Sequence, residues 1–279
     1  ADLYGLGANE VLIGKFLKQV ARHRVRVATK FGSLPAGANG LPGVDNSPAH
    51  IRTACEASLK RLGVEQIDLY YMHRRDPSVP IAESVGAMGR LVEEGKVALL
   101  GLSEVSAATL REAQSVHPIA ALQSEYSLWF RDPERDVLPV CQELGISFIP
   151  FSPLGRGFLA GGVSPESFTQ GDFRHALPRF GSDAMSRNKR LVDQLTQLAS
   201  ELCIPAAQVS LAWLLSKNRE GLSIIPIPGT KRESFVRQNA RSTDIKLPLS
   251  ALQFLDELFN PEAVYGARYN AVESARAGL

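Results

Sequence analysis

Short apolar runs rich in Val, Ile, Leu and Phe recur along this chain, separated by amphipathic stretches: Val25–Ala28, Ile67–Met72, Val97–Leu102, Ile119–Gln123, Ile146–Pro150 and Leu222–Ile227. This alternation is the pattern of βαβ units, in which helices join strands that run parallel. The intervening segments carry helix punctuation. Pro48–Leu62 follows Asn46 and Ser47, places Pro48 in a first turn where its missing N–H costs nothing, and stops at Gly63. Val79–Glu94 stops the same way, at Gly95.

Six such runs fall short of the eight strands of a closed parallel barrel. Tyr4 comes only four residues into the chain with no strand before it, so the expected fold is an α/β TIM (β/α)8 barrel whose N-terminal β/α elements are missing from this chain. An open, doubly wound sheet also accommodates six strands. With 279 residues, 44% of them hydrophobic, the expectation is a single barrel domain over residues 1–279, incomplete at its N-terminus.

A net charge of +2 gives no argument for nucleic acid as a partner. No apolar run approaches the roughly 20 residues needed to span a bilayer, so no membrane segment is expected. Cys55, Cys141 and Cys203 are odd in number, scattered and set in apolar contexts, which reads as three core residues in a reducing, cytoplasmic compartment. Nothing in the motifs calls for a metal.

Three polar residues stand at turns or at the ends of apolar runs: Tyr4 in ADLYG, Lys30 in VRVATKFG and His73 in IDLYYMHRRD. A strand that carries such a residue at its C-terminal end delivers it to the face where barrel enzymes do their chemistry. A tyrosine, with an ordinary pKa of about 10, donates a proton near neutrality when an ammonium beside it favours the phenolate. Lys30 is the candidate ammonium, and a histidine beside the pair can hold a substrate carbonyl oxygen. The implied chemistry is protonation of a developing alkoxide.

Anion-binding candidates follow the later strands. Ser152-Pro153-Leu154-Gly155-Arg156-Gly157 offers glycines that let backbone N–H groups approach a phosphate, with an arginine as counter-charge. Ile227-Pro228-Gly229-Thr230-Lys231-Arg232 runs into a helix start, where free N–H groups favour an anion. Lys231 and Arg232, with Arg237 beyond, suit a ribose 2′-phosphate, which makes the cofactor NADPH; no GxGxxG supports a Rossmann reading. Gln123 and Tyr126 supply an amide-binding side chain and a flat ring for a nicotinamide, and Ser103 adds a polar contact. Trp129 is assigned to the substrate pocket. The long connection Ser152–Asp183 and the tail beyond Pro261, with Tyr265, Arg268 and Tyr269, are the candidate pocket covers.

Taken singly, each of these residues has an ordinary structural reading; the conjunction carries the case. The blocks GLSE (Gly101–Glu104), QSEYSLW (Gln123–Trp129), FSPLGRGFL (Phe151–Leu159) and IPIPGTK (Ile225–Lys231) stand in an order that resembles the aldo-keto reductases, in the bacterial and plant-like branch, over essentially the whole length. The resemblance implies an eight-stranded barrel, NADPH bound across its top, and a catalytic Asp, Tyr, Lys and His. Tyr4, Lys30 and His73 match three of these. The family's aspartate falls five residues before the tyrosine, upstream of Ala1, and Asp2 stands at the wrong spacing to replace it. Gln238, before Asn239, occupies a position where many members carry a glutamate that meets the adenine. The expected activity is reduction of aldehydes or ketones, with Tyr4 as proton donor and a small carbonyl compound as partner. The competing readings are an NADPH-binding barrel without turnover, like the channel β-subunits that resemble this family, and a phosphate-binding barrel isomerase or lyase.

Overall fold

The computed structural model of the 279-residue chain describes residues 1–36, 42–163, 168–271 and 274. Two compact units divide it, Ala1–Gln123 and Ser124–Ala275. Each has its own core.

The first unit begins with the turn that carries Tyr4, followed by α1 (Ala8–Leu17), β1 (Ala28–Phe31) and an antiparallel pair, β2 (Ser33–Ala36) and β3 (Pro42–Val44). It continues as α2 (Pro48–Leu62), β4 (Ile67–Met72), α3 (Ile81–Glu93), β5 (Val97–Ser103), α4 (Ala107–Val116) and β6 (Ile119–Glu125). Strands β1, β4, β5 and β6 lie side by side, and the register is parallel throughout: Lys30 faces Tyr71, Tyr71 faces Gly101, and Ser103 faces Gln123. This register matters for the site, because Lys30, His73 just beyond β4, Ser103 and Gln123 all come out at the C-terminal edge of one sheet.

Local chemistry explains the helix bounds. The Ser47 hydroxyl accepts from the His50 N–H (3.3 Å), Pro48 opens the first turn, and Gly63 at φ 66° closes α2 with its N–H on the Leu59 carbonyl. Ser106 caps α4 through the Thr109 N–H. Gly101 has to be a glycine, since the Tyr71 ring lies 2.4 Å from where a Cβ would sit. Phe31, Ile51, Ile67, Tyr70, Met88 and Leu100 are among the fully buried residues of this unit.

In the second unit, β7 (Ser147–Phe151) neighbours the end of β6, where the Tyr126 N–H meets the Phe151 carbonyl. The helices are α5 (Leu138–Leu144), α6 (Ser182–Glu201), α7 (Ala206–Leu215), α8 (Glu233–Ala240) and α9 (Leu249–Leu258). Trp213 of α7 is fully buried and donates its indole N–H to Asp256 of α9 at 3.0 Å. No single helix among the described residues is long and apolar enough to cross a membrane.

Several expectations need correction. The first strand is 28–31 rather than 25–28, because the Val27 N–H is taken by the Asp68 carboxylate (2.7 Å) and the Val25 carbonyl by Arg22. Leu222–Ile227 is no continuous strand: Leu222 bridges back to Arg219 and Ile224 to Phe148, yet the segment lies along β7, with the Phe148 N–H on the Ser223 carbonyl and the Ile225 and Ile227 N–H groups on the Phe148 and Pro150 carbonyls. Strands β2 and β3 were not foreseen. Cys203 is exposed in the turn after α6, at φ 55°, so it is no core residue, whereas burial pushes the Cys55 thiol up to about 11 and that of Cys141 up to about 12.

Candidate active site

The first unit gathers three of the expected groups. Lys30 Nζ donates to Tyr4 Oη at 3.4 Å, and the ammonium lies 5.2 Å from the centre of the tyrosine ring. The His73 ring meets Tyr4 edge to face at 5.8 Å and 88°. His73 is fixed by its N–H on the Phe31 carbonyl, 2.9 Å away at the end of β1. Tyr4 keeps 46% of its surface exposed, so its hydroxyl can be reached. A cation, a phenol and an imidazole around one open edge can deliver a proton and hold an oxygen atom.

Behind this cluster stands a carboxylate that the sequence reading passed over. Glu10 of α1 is 1% exposed; it accepts from Thr29 Oγ1 (2.5 Å), the residue before Lys30, and from Arg61 Nε of α2 (2.6 Å). The Arg61 side chain in turn lies 2.6 Å from where a Cβ on Gly7 would sit, against the turn that carries Tyr4. One buried ion pair therefore ties together α1, β1 and α2. The only early signal was a glutamate six residues after Tyr4. Asp2 donates its backbone N–H to the Lys30 carbonyl (3.0 Å), and burial raises its carboxyl above the ordinary value.

Ser103 ends β5 and faces Gln123, near the end of β6, at the same strand edge. Ser103 Oγ accepts from Arg74 at 3.4 Å, and Gln123 hydrogen-bonds the Tyr71 hydroxyl, whose pKa burial pushes up.

The second unit contains a cleft of about 580 Å³ lined by Leu154, Gly157, Gly229, Thr230, Lys231, Arg232, Phe235, Gln238 and Asn239, among others. It thus joins the two anion-binding segments named from the sequence. Among the described residues its wall has two cations and no carboxylate. Phe235, unforeseen, stacks under the Arg232 guanidinium at 5.3 Å; its only sequence signal is a spacing of three from Arg232 in the first turn of α8. The donor set suits a nucleotide: glycine backbone, cations for phosphate, a flat ring and amides for a base.

Other expected residues are placed differently. Tyr126 is fully buried, with its ring against Phe148 and Trp213 and its hydroxyl donating to Glu134 (2.7 Å), so it is a core ring and has no face for stacking a nicotinamide. Trp129 is 3% exposed, stacked on Phe158 at 4.1 Å and edge-on to Phe180. Ser152 is half-buried at φ 48°, Pro153 is buried, and Gly155 admits the Trp129 ring 2.8 Å from where a Cβ would sit. Arg156 does not line the cleft; its guanidinium is turned to Glu125 and to the Phe173 ring. Arg237 pairs with Glu233 on the exposed side of α8, and Ile227 donates its N–H to Pro150.

Comparison with known proteins gives this geometry its class and then its family. The chain is 26% identical to a glycerol dehydrogenase, AKR11B4, from Gluconobacter oxydans, with a TM-score of 0.85 over 96% of this chain and 82% of that one. A thermostable aldo-keto reductase, Tm1743, solved with the inhibitor epalrestat, matches at 29% identity and a TM-score of 0.71 over 92% and 80%. The fold is accordingly that of the TIM-barrel oxidoreductases, with a parallel-strand α/β core. Residues 1–260 match the aldo/keto reductase family, and the chain is 44% identical over 269 residues to "Probable aldo-keto reductase 1" of Glycine max, covering 96% of this chain and 77% of that protein. This chain belongs to the aldo/keto reductase family, whose members generally use NAD(P)H on small carbonyl compounds.

Proposed function

We propose that this protein reduces aldehydes or ketones to alcohols with NADPH, using Tyr4 as the proton donor. The carrying observation is the Tyr4 hydroxyl 3.4 Å from the Lys30 ammonium with His73 at its edge. Tyr4 gives its proton to the carbonyl oxygen, and the Lys30 charge stabilises the phenolate left behind. His73 donates a hydrogen bond to the same oxygen and orients it. The bound cofactor supplies the hydride that goes to the carbonyl carbon. Ser103 and Gln123 of the first unit would hold the carboxamide of a nicotinamide; within the second unit Phe151, half-buried at the end of β7, presents a flat ring that the buried Tyr126 does not. Lys231 and Arg232 hold the 2′-phosphate; Phe235, Gln238 and Asn239 take the adenine, while the 152–157 loop and the Gly229–Thr230 turn hold the phosphates. Arg237 can leave an exposed ion pair to join them at little cost. Trp129 is the proposed wall on the substrate side.

The preference for NADPH rests on the two cations, Lys231 and Arg232, in the cleft wall, with no acid among its described residues, since a carboxylate would accept a ribose hydroxyl and repel a phosphate. The test is NADPH oxidation against a panel of aldehydes and ketones, with Tyr4→Phe beside the wild type. Turnover is expected to fall by about a thousandfold in the variant while NADPH affinity, read by fluorescence titration, is unchanged. Tight NADPH binding without turnover in the wild type makes the protein a non-catalytic binder; no NADPH binding at all removes the reading altogether.

A further inference from the structure

The cofactor loop of the second unit holds two residues other than glycine in the left-handed region, Ser152 at φ 48° and Arg156 at φ 55°. Such conformations persist only where the surroundings hold them. At Arg156 the surroundings are explicit. Its carbonyl accepts from Arg174 Nη1 (3.2 Å), which Asp172 anchors, its guanidinium lies 5.4 Å from the Phe173 ring, and its Nη2 reaches Glu125 Oε2 at 3.4 Å.

Glu125 is 6% exposed, and the same oxygen accepts from Arg268 Nε at 2.8 Å. Arg268 belongs to the C-terminal stretch that the fold and the proposed mechanism leave without a task. It is packed between aromatic rings, 4.4 Å from the centre of Phe130 and 4.3 Å from that of Tyr269, and donates to the Tyr269 hydroxyl at 3.2 Å. One buried carboxylate is therefore shared by the cofactor loop and by the 268–269 segment. A charged hydrogen bond to a buried carboxylate is strong and directional, and removing the carboxylate takes away the acceptor that both guanidinium groups share.

We infer that Glu125 is a positioning residue for the cofactor loop: it holds Arg156, and with it the 152–157 backbone, in the shape that receives the cofactor phosphates, and Arg268 fixes Glu125 for that task. Arg156 then acts as the loop's anchor and is no counter-charge to phosphate, in line with its absence from the cleft wall. The inference rests on the nucleotide-binding reading of the cleft and deepens it. It also gives the C-terminal segment a function, since a residue outside the cleft sets the cleft's affinity.

The two roles of Arg156 predict opposite signs. If its charge met the phosphate directly, Glu125→Gln would free that charge and tighten NADPH binding. The anchoring role predicts weaker binding in Glu125→Gln and in the milder Arg268→Lys, by about tenfold each, with the double variant no weaker than the worse single one because both act through one contact network. NADPH dissociation constants by fluorescence titration read this directly, apart from turnover. Amide hydrogen exchange over residues 152–157 in the cofactor-free protein provides a second readout, expected to quicken in both variants. Unchanged or tighter NADPH binding, or unchanged exchange in the loop, overturns the inference. Should Glu125→Gln fail to fold, Arg268→Lys carries both readouts. A wild type that takes up no NADPH sinks the nucleotide reading alone, and the exchange measurement still decides whether Glu125 holds the loop.

Discussion

Each unit of this protein buries a glutamate against arginine, Glu10 in the first and Glu125 in the second, and the two are put to different use. In the first unit Glu10 meets one guanidinium and one hydroxyl, a locally neutral arrangement that ties α1, β1 and α2 together behind Tyr4 and Lys30. In the second, Glu125 meets two guanidiniums, one of them on the loop assigned to phosphate. Proton transfer needs a fixed distance between two small groups, and a neutral clamp supplies it without biasing the charge of the site. Anion binding needs a backbone held in one shape, which a carboxylate gripping the loop's arginine supplies. The contrast is between a residue that sets geometry for chemistry and one that shapes a loop for binding.

The sharpest way to break this division is Glu10→Gln. Losing the charge leaves Arg61 without its buried partner, and stability is expected to fall by about 3 kcal/mol in chemical denaturation. Turnover should drop as the Tyr4–Lys30 geometry loosens, while NADPH affinity stays as in the wild type. If affinity falls together with stability, the two glutamates are not doing separate jobs.

Lys231→Ala bears on the other side of the comparison. A charge-assisted contact to the 2′-phosphate predicts NADPH affinity lower by about tenfold, with NADH binding untouched. Equal losses for both cofactors would move Lys231 from the 2′-phosphate to a group that both share.

The smallest effect concerns acid. The hydrogen bond from Arg174 holds the Asp172 carboxyl down from 3.8 to about 2. A carboxyl lowered in the folded state contributes stability above its unfolded value, and that contribution disappears as pH falls through the folded one. The turn around Arg174, which donates to the Arg156 carbonyl, should therefore loosen only between pH 3.8 and about 2. Amide exchange of residues 172–176 at stepped pH checks this, and Asp172→Asn should reproduce the loosening at neutral pH. Loosening that begins near neutrality would point to a different titrating group.

The chain's own order of residues determined the features with local causes. Helix α2 begins and ends where Ser47, Pro48 and Gly63 say it must, because capping and a left-handed stop act within a few residues. Strand β4 coincides with its apolar run, since a strand buried in a parallel sheet needs little more than continuous apolar character. Tyr4, Lys30 and His73 were legible from their places at turns and strand ends.

Tertiary structure decided whatever depends on a partner far along the chain. The register with β4 and the carboxylate of Asp68 moved β1 to residues 28–31. Packing against Phe148 and Trp213 turned Tyr126 from an expected cofactor ring into core. Arg156 reads as a phosphate ligand in its own loop, and becomes an anchor only because Glu125, 31 positions earlier, and Arg268, 143 positions after that glutamate, bring their charges to it. Propensity and capping are encoded within a turn or two of sequence, whereas the partner of a buried charge is set by which distant segments the fold brings together.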